Sequence, residues 1–284
     1  MTIRHKTQIT GSNNPNKQVS KNAWNDDHYE TGLISGCLLT RVSNTTLGVA
    51  AGSLDINGTI YVNAGSLTIT PSIAADTLYM IYAVPSGSGF VLEASTTVPV
   101  WDAALNYWKK TGDATRRFIG CWRTFNNLGI KFVRGHAMPS KDRTRCVVYD
   151  SHSDGLAGDG GFYLVQGGAP GGSGFEAWTS FDASGIAPPS VRRFICAMLI
   201  GAGVDQYYYA GLNGADMTFG LPGDNGELAF FDVLLGATYG QQRLVTGFVT
   251  ANSAAPQTIW QKFSSDDGVD GAIWTAIKGV EYEV

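Results

Sequence analysis

The sequence predicts an all-β protein, and three observations carry that expectation. Glycine accounts for 36 of the 284 residues and only 15% of residues are charged, against about 7% and about 25% in ordinary soluble chains. Aromatic residues are plentiful, at 11%, and they fall with Thr, Val and Ile in short runs. Those runs alternate apolar with polar and stop at Asn-Gly, Pro or glycine clusters, the pattern of strands joined by tight turns.

Composition sets further bounds. At 44% hydrophobic residues, the chain can bury sizeable cores as one large or two ordinary domains. Low charge leaves little surface to keep a monomer soluble, so subunit interfaces are expected to cover part of it. The net charge of −4 argues against nucleic acid, which needs clustered Lys and Arg. Cys37, Cys121, Cys146 and Cys196 form no CxxC pair, so they read as free, buried thiols rather than a zinc site or a disulfide framework. No apolar stretch follows Met1–Lys6 to make a signal peptide. The longest apolar run, Phe194 to Val204, is interrupted by glycines and too short to span a bilayer. Synthesis in a cytoplasm, with no export signal and no membrane insertion, is the expectation.

Residues 1–36 are polar, with a loop by composition at Gly11–Asn16 and a possible helix cap at Ser20 ahead of Trp24 and His28. A polar arm carrying one large aromatic suggests docking onto another surface. From Cys37 strands begin. Leu54–Val62 holds Asn57-Gly58 between alternating arms, a strong hairpin signal because both central positions of a type I′ turn need positive φ. Leu67–Thr70 alternates and stops at Pro71. Thr77–Val84 is closed by Pro85–Gly89, and Phe90–Ala94 returns as its hairpin partner. Trp101, Leu105 and Trp108 are spaced i, i+4, i+7, which predicts a short helical turn after Pro99. Arg116-Arg117 opens the strand Phe118–Trp122, and Asn126–Gly129 turns the chain into Ile130–Val133. On a strand the two arginines face opposite ways. One is expected to pair with Asp102 or Asp113 or to cross a subunit interface, a structural role rather than ligand binding.

The polar, turn-rich residues 134–145 read as a boundary. Beyond it, strand candidates are Cys146–Tyr149, Phe162–Val165, Gly174–Trp178, Phe194–Ile200, Gln206–Tyr209, Met217–Phe219, Leu228–Leu235, Arg243–Thr250, Thr258–Phe263 and Ile273–Ile277. Glycine-rich turns separate many of them, as in a β-sandwich or jelly roll. Val280–Val284 alternates to the last residue, as a strand built into a sheet would. Ser190–Cys196 echoes Thr115–Cys121, but no period of 20–50 residues repeats, so no solenoid is expected.

Chemistry is sparse. There are four histidines and no GxSxG, HExxH, P-loop or dinucleotide fingerprint. Asp150–Asp154 has the odd-position spacing of a calcium loop, yet the twelfth position is Gly161 rather than a bidentate Glu. Asp150, Asp154, Asp159, Glu176 and Asp182 could supply a glycosidase pair, but all sit in or beside turns. Neither an enzyme nor any cofactor or metal is expected. Aromatics are the better binding lead: Trp178, Tyr207-Tyr208-Tyr209, Tyr239, Trp260 and Trp274 all lie past the boundary. Trp178 and Tyr208 are the candidate receptor contacts.

Two stretches carry a family resemblance. Lys21-Asn22-Ala23-Trp24-Asn25-Asp26-Asp27-His28 resembles the N-terminal segment of tailed-bacteriophage fibre and virion-surface proteins. The order Leu92-Glu93-Ala94-Ser95, Thr96-Thr97-Val98-Pro99-Val100-Trp101-Asp102, Tyr107-Trp108, then Gly112-Asp113 through Arg123-Thr124 resembles a module of phage tail-fibre proteins. Together they cover residues 1–135. The resemblance implies a virion structural protein, commonly a homotrimer, with no catalytic site and with Trp24 and His28 near the virion attachment end. The resulting expectation has an attachment arm at 1–36, a β-rich shoulder at 37–136 and a distal β-sandwich at 137–284 that meets a host-surface glycan or protein. The alternatives are a structural component of head, collar or tail without a receptor, a glycan-cleaving tail spike, or a bacterial lectin-like protein.

Overall fold

The structure is a computed structural model. It describes residues 31–126, 129–139, 143–149, 182–195, 251, 255–258 and 277–284 in full, and the backbone alone of the remaining strand residues named below. Among the described residues every regular element is a strand, and every pairing is antiparallel. The chain is therefore all-β. In chain order the strands begin with β1 Ile3–His5, β2 His28–Glu30, β3 Ile34–Gly36, β4 Leu39–Arg41, β5 Leu47–Val49, β6 Gly52–Ile56, β7 Thr59–Asn63 and β8 Leu67–Ile69. Next come β9 Leu78–Ser86, β10 Gly89–Ser95, β11 Pro99–Asp102, β12 Tyr107–Lys110, β13 Asp113–Asn126, β14 Ile130–Phe132, β15 Gly135–Pro139 and β16 Thr144–Tyr149. The last are β17 Tyr163–Val165, β18 Gly174–Phe175, β19 Thr179–Asp182, β20 Val191–Gly201, β21 Tyr208–Ala210, β22 Val233–Leu235, β23 Gln242–Thr250, β24 Thr258–Gln261, β25 Ser264–Ser265 and β26 Ala272–Glu283.

Two large sheets form the body. One runs β10-β9-β13-β12-β11, with β14 also on β13; the other runs β23-β20-β26-β16-β15-β4-β5-β8, with β17 on β26. They face each other across one apolar core. Phe118 of β13 meets Tyr282 of β26 with ring centroids 5.8 Å apart, and Trp122 meets Tyr149 edge-on at 6.2 Å. A Cβ at Gly120 would lie 2.3 Å from Leu39 Cδ1 and 2.9 Å from Tyr282 Oη, so glycine is what lets the sheets close there. The Cys121 N–H donates to the Tyr282 hydroxyl at 3.2 Å, giving a buried pair of polar groups mutual partners. Residue 136, the last of the expected shoulder, lies inside β15. That strand pairs with β4 on one side, through His136 opposite Thr40, and with β16 on the other.

The Asn57-Gly58 turn adopts the positive-φ pair expected of it, at 51° and 80°, and joins β6 to β7. Cys37, Cys121 and Cys146 are buried and free. The helical turn expected from Trp101 to Trp108 is corrected. Those residues form the hairpin β11–β12, with Trp101 directly opposite Trp108. The local reason is chemical. Asp102 Oδ1 accepts the Ala104 and Leu105 amides at 2.9 and 3.1 Å, and Asn106 sits at φ 58°. An Asx turn followed by a left-handed residue reverses the chain instead of coiling it. The helix considered after Ser20, the candidate strand Met217–Phe219 and the Asp150–Gly161 loop lie outside the described residues.

Candidate functional site

The first site is the strap by which residues 31–37 enter the body. Its centre is Arg117, whose guanidinium is completely buried. Arg117 Nη1 donates to Leu33 O at 2.5 Å and Asp55 O at 2.9 Å, and Nη2 donates to Gly32 O at 2.7 Å. The Tyr107 ring lies 4.7 Å from its central carbon, a cation–π contact in a desolvated setting. Burial pulls the guanidinium down to about 10, opposed by the charge of Asp55. Arg117 Nε has no hydrogen-bond partner.

Neighbouring groups complete the strap. Asp55, itself buried, accepts the Gly32 amide at 2.9 Å and the Gly58 amide at 2.8 Å. Asn106 Nδ2 donates to Thr31 O at 3.0 Å, and Arg145 Nη2 to Gly36 O at 3.1 Å. Burial pushes the Cys37 thiol up to about 11, against the pull of the Arg145 and Arg117 charges. So high a value leaves it a small hydrophobe rather than a nucleophile. Backbone polar groups along Thr31–Cys37 are thus held by side chains from β6, β13 and β16 and from the β11–β12 turn, as well as by the β3–β6 ladder.

The second site is a lip between the two large sheets. Trp101, on the edge strand β11, keeps 39% of its surface exposed. It meets Trp108 at 5.9 Å in an edge-on pair. Trp108 Nε1 donates to Glu283 Oε2 at 3.4 Å, and Glu283 Oε1 pairs with Arg192 Nη2 at 2.7 Å. The Arg143 guanidinium lies 5.8 Å from the Trp101 ring centre and donates twice to Asn106, to the backbone O and, at 3.3 Å, to Oδ1. Lys109 pairs with Asp102 at 2.6 Å. That hydrogen bond, ahead of the burial that opposes it, holds the Asp102 carboxyl below its ordinary value.

Arg116 takes the structural role expected of it. It pairs with Asp113 and with Glu93, and Glu93 also takes Lys110. Trp24 and Trp178 lie outside the described residues; for His28 and Tyr208 the backbone alone is described, opposite His5 and Leu235 respectively. Of the candidate acids, Asp182 is exposed and accepts the Ser184 amide at 2.8 Å; the others lie outside the described residues. Among the described residues, no group of three or more His, Cys, Asp or Glu is placed to hold a metal ion.

No protein-family model matches the chain, and no curated protein matches it. Two solved structures are aligned at 15% identity over 89% of this chain. One is the infectious bursal disease virus Gx strain, with 73% of that chain covered and a TM-score of 0.20. The other is the infectious bursal disease virus VP2 subviral particle, with 77% covered and a TM-score of 0.21. Superpositions this poor carry no argument about fold or function.

Sequence reading missed both Arg117 as a backbone clamp and the Trp101–Arg143 lip. A signal for the lip existed in the alternation of Val98, Val100 and Asp102 through a run with two β-branched residues. For the clamp no local signal exists, because its acceptors lie 62 to 85 residues away.

Proposed function

We propose that this chain is a virion structural protein of the tail-fibre or spike type, with residues 1–36 as the attachment arm and the β body projecting from the particle. The observation that supports it best is the strap. A segment that transmits load from an arm to a body needs several independent, buried attachments. Thr31–Cys37 has them in Arg117, Asp55, Asn106 and Arg145. A linker held only by its own hairpin would peel. The resemblance over residues 1–135 points the same way, and low surface charge suits a chain that shares interfaces as a homotrimer. Weak host contacts on three copies would add into firm adhesion through effective concentration. Those contacts are assigned to the distal part of the chain, at Trp178 and Tyr208.

The test uses the full chain and a chain starting at residue 31, which keeps the strap. Light scattering of the full chain is expected to give a trimer. Particles assembled with the shortened chain are expected to lack it on immunogold labelling. A monomeric full chain, together with normal incorporation of the shortened one, would overturn the reading. A trimer that incorporates normally but ignores every candidate host surface would reduce the role to a structural component without a receptor.

A further inference from the structure

The lip beside Trp101 is an exposed aromatic face with a cation fixed next to it. Trp101 cannot drift, because Trp108 holds it edge-on and Glu283 in turn holds Trp108. Arg143 is equally fixed, by two hydrogen bonds to Asn106. A guanidinium carries five donors, and among the described residues no carboxylate pairs with Arg143. A second cation, Arg192, stands 58% exposed at the side chain on the far side of Glu283. The space between the Trp101 ring centre and the Arg143 carbon, 5.8 Å, is about the width of one pyranose ring.

We propose that this lip binds an acidic saccharide, its apolar face stacked on Trp101 and its carboxylate paired with Arg143. Indole offers a broad, rigid apolar face at little entropic cost, with a polar rim at hand. The arginine fork matches a carboxylate in plane and spacing. A neutral sugar would use the stack but leave the cation unanswered. A nucleic acid would need a longer basic track than two arginines on a chain of net charge −4 provide. The inference concerns this chain's own surface. It depends neither on the virion reading nor on Trp178 and Tyr208.

The experiment titrates the full-length protein with three acidic oligosaccharides: trigalacturonate, a hyaluronan tetrasaccharide and a trimer of N-acetylneuraminate. Calorimetry and tryptophan fluorescence are the readouts, with the methyl ester of the best binder as its uncharged twin. Saturable binding by at least one acid is expected. The ester should bind at least about tenfold more weakly, the effect of one charge-assisted hydrogen bond. Trp101→Ala should abolish binding, Trp101→Phe should retain part of it, and Arg143→Gln should bind acid and ester alike. Near-UV circular dichroism checks each variant's fold, and the ester comparison needs no variant. The proposal is overturned if no acid saturates, if ester and acid bind equally to the wild type, or if binding survives Trp101→Ala. It is overturned too if Trp101→Ala changes only the oligomeric state on light scattering, since the lip would then be a contact between copies.

Discussion

Replacing Arg117 with methionine tests whether the strap is a clamp or merely a filled space. The side chains are similar in length, so packing is largely kept and the lost element is the charged fork. Gly32 O, Leu33 O and Asp55 O all lose the guanidinium. Leu33 O keeps a second donor, the Asp55 amide at 2.9 Å, so the damage concentrates on Gly32 O and on the Asp55 carboxylate. One orphaned buried carbonyl costs about 1–3 kcal/mol. Leaving a buried carboxylate without its countercharge costs about 3–5 kcal/mol when it has no other partner, but Asp55 keeps two backbone donors. On the other side stands the desolvation of the guanidinium. Its fall from 12.5 to about 10 corresponds to roughly 3 kcal/mol that methionine does not incur.

Gross losses of about 6–8 kcal/mol against that relief leave a net destabilisation of about 3–5 kcal/mol. Urea unfolding at pH 7, followed by tryptophan fluorescence, measures it, with the m-value checked for constancy. Hydrogen exchange by mass spectrometry localises it. Peptides covering residues 31–37 and 53–58 are expected to lose protection before those of β9 and β13. Arg117→Lys should fall about midway, since an ammonium is a point charge and cannot span all three carbonyls as a fork does. A loss below about 1 kcal/mol for Arg117→Met, with unchanged exchange at residues 31–37, would show that the buried charge adds no stability. It would also remove the main support for the strap as an anchor.

Three further outcomes follow from the same geometry. Gly120→Ala should cost about 1–3 kcal/mol in urea unfolding through overpacking against Leu39 and Tyr282, and adding Leu39→Ala should recover part of it; strict additivity of the pair would refute the contact. Gly58→Ala, at φ 80°, should cost about 1 kcal/mol. Gly65→Ala, with open space around its would-be Cβ, should stay within about 0.5 kcal/mol; equal effects at the two would mean that the hairpin does not need its left-handed turn. Alkaline stability tests the buried thiols. A folded-state value raised from 9.0 to about 11 at Cys37 means stability that is full below pH 9 and lost as pH rises toward 11. From pH 8 to 10 that loss is about 1.3 kcal/mol. Stopping at pH 10 keeps the opposite contribution of Arg117 small, because its burial penalty is relieved only above about 10. Unfolding under reducing conditions should show the slope flattened by about that amount in Cys37→Ala; an unchanged slope would mean that water reaches the thiol.

What was legible in the sequence was local. Asn57-Gly58 names its own turn, because the two φ values it needs belong to those residues alone, and the hairpin closed by Gly87 was readable for the same reason. Misreadings came where one local pattern serves two structures. Trp101 and Trp108 satisfy a helical spacing and also face each other across a four-residue turn, and Asp102 with Asn106 decides between them. Ile273–Ile277 and Val280–Val284 read as separate strands because Lys278-Gly279 looks like a break. They are one strand, and Gly279 is there because a Cβ would meet Val147 O at 2.3 Å, a close approach rather than a turn. The same blindness hides the site. Arg116 and Arg117 are neighbours of one type, yet one pairs with exposed acids on the surface and the other is sealed inside. Only strand alternation separates them, and alternation does not say which face is covered. What covers Arg117 is the chain between Thr31 and Cys37, some eighty residues upstream. A residue whose partners are backbone carbonyls that far away has no signature of its own, which is why the clamp becomes visible only when the strap is in place.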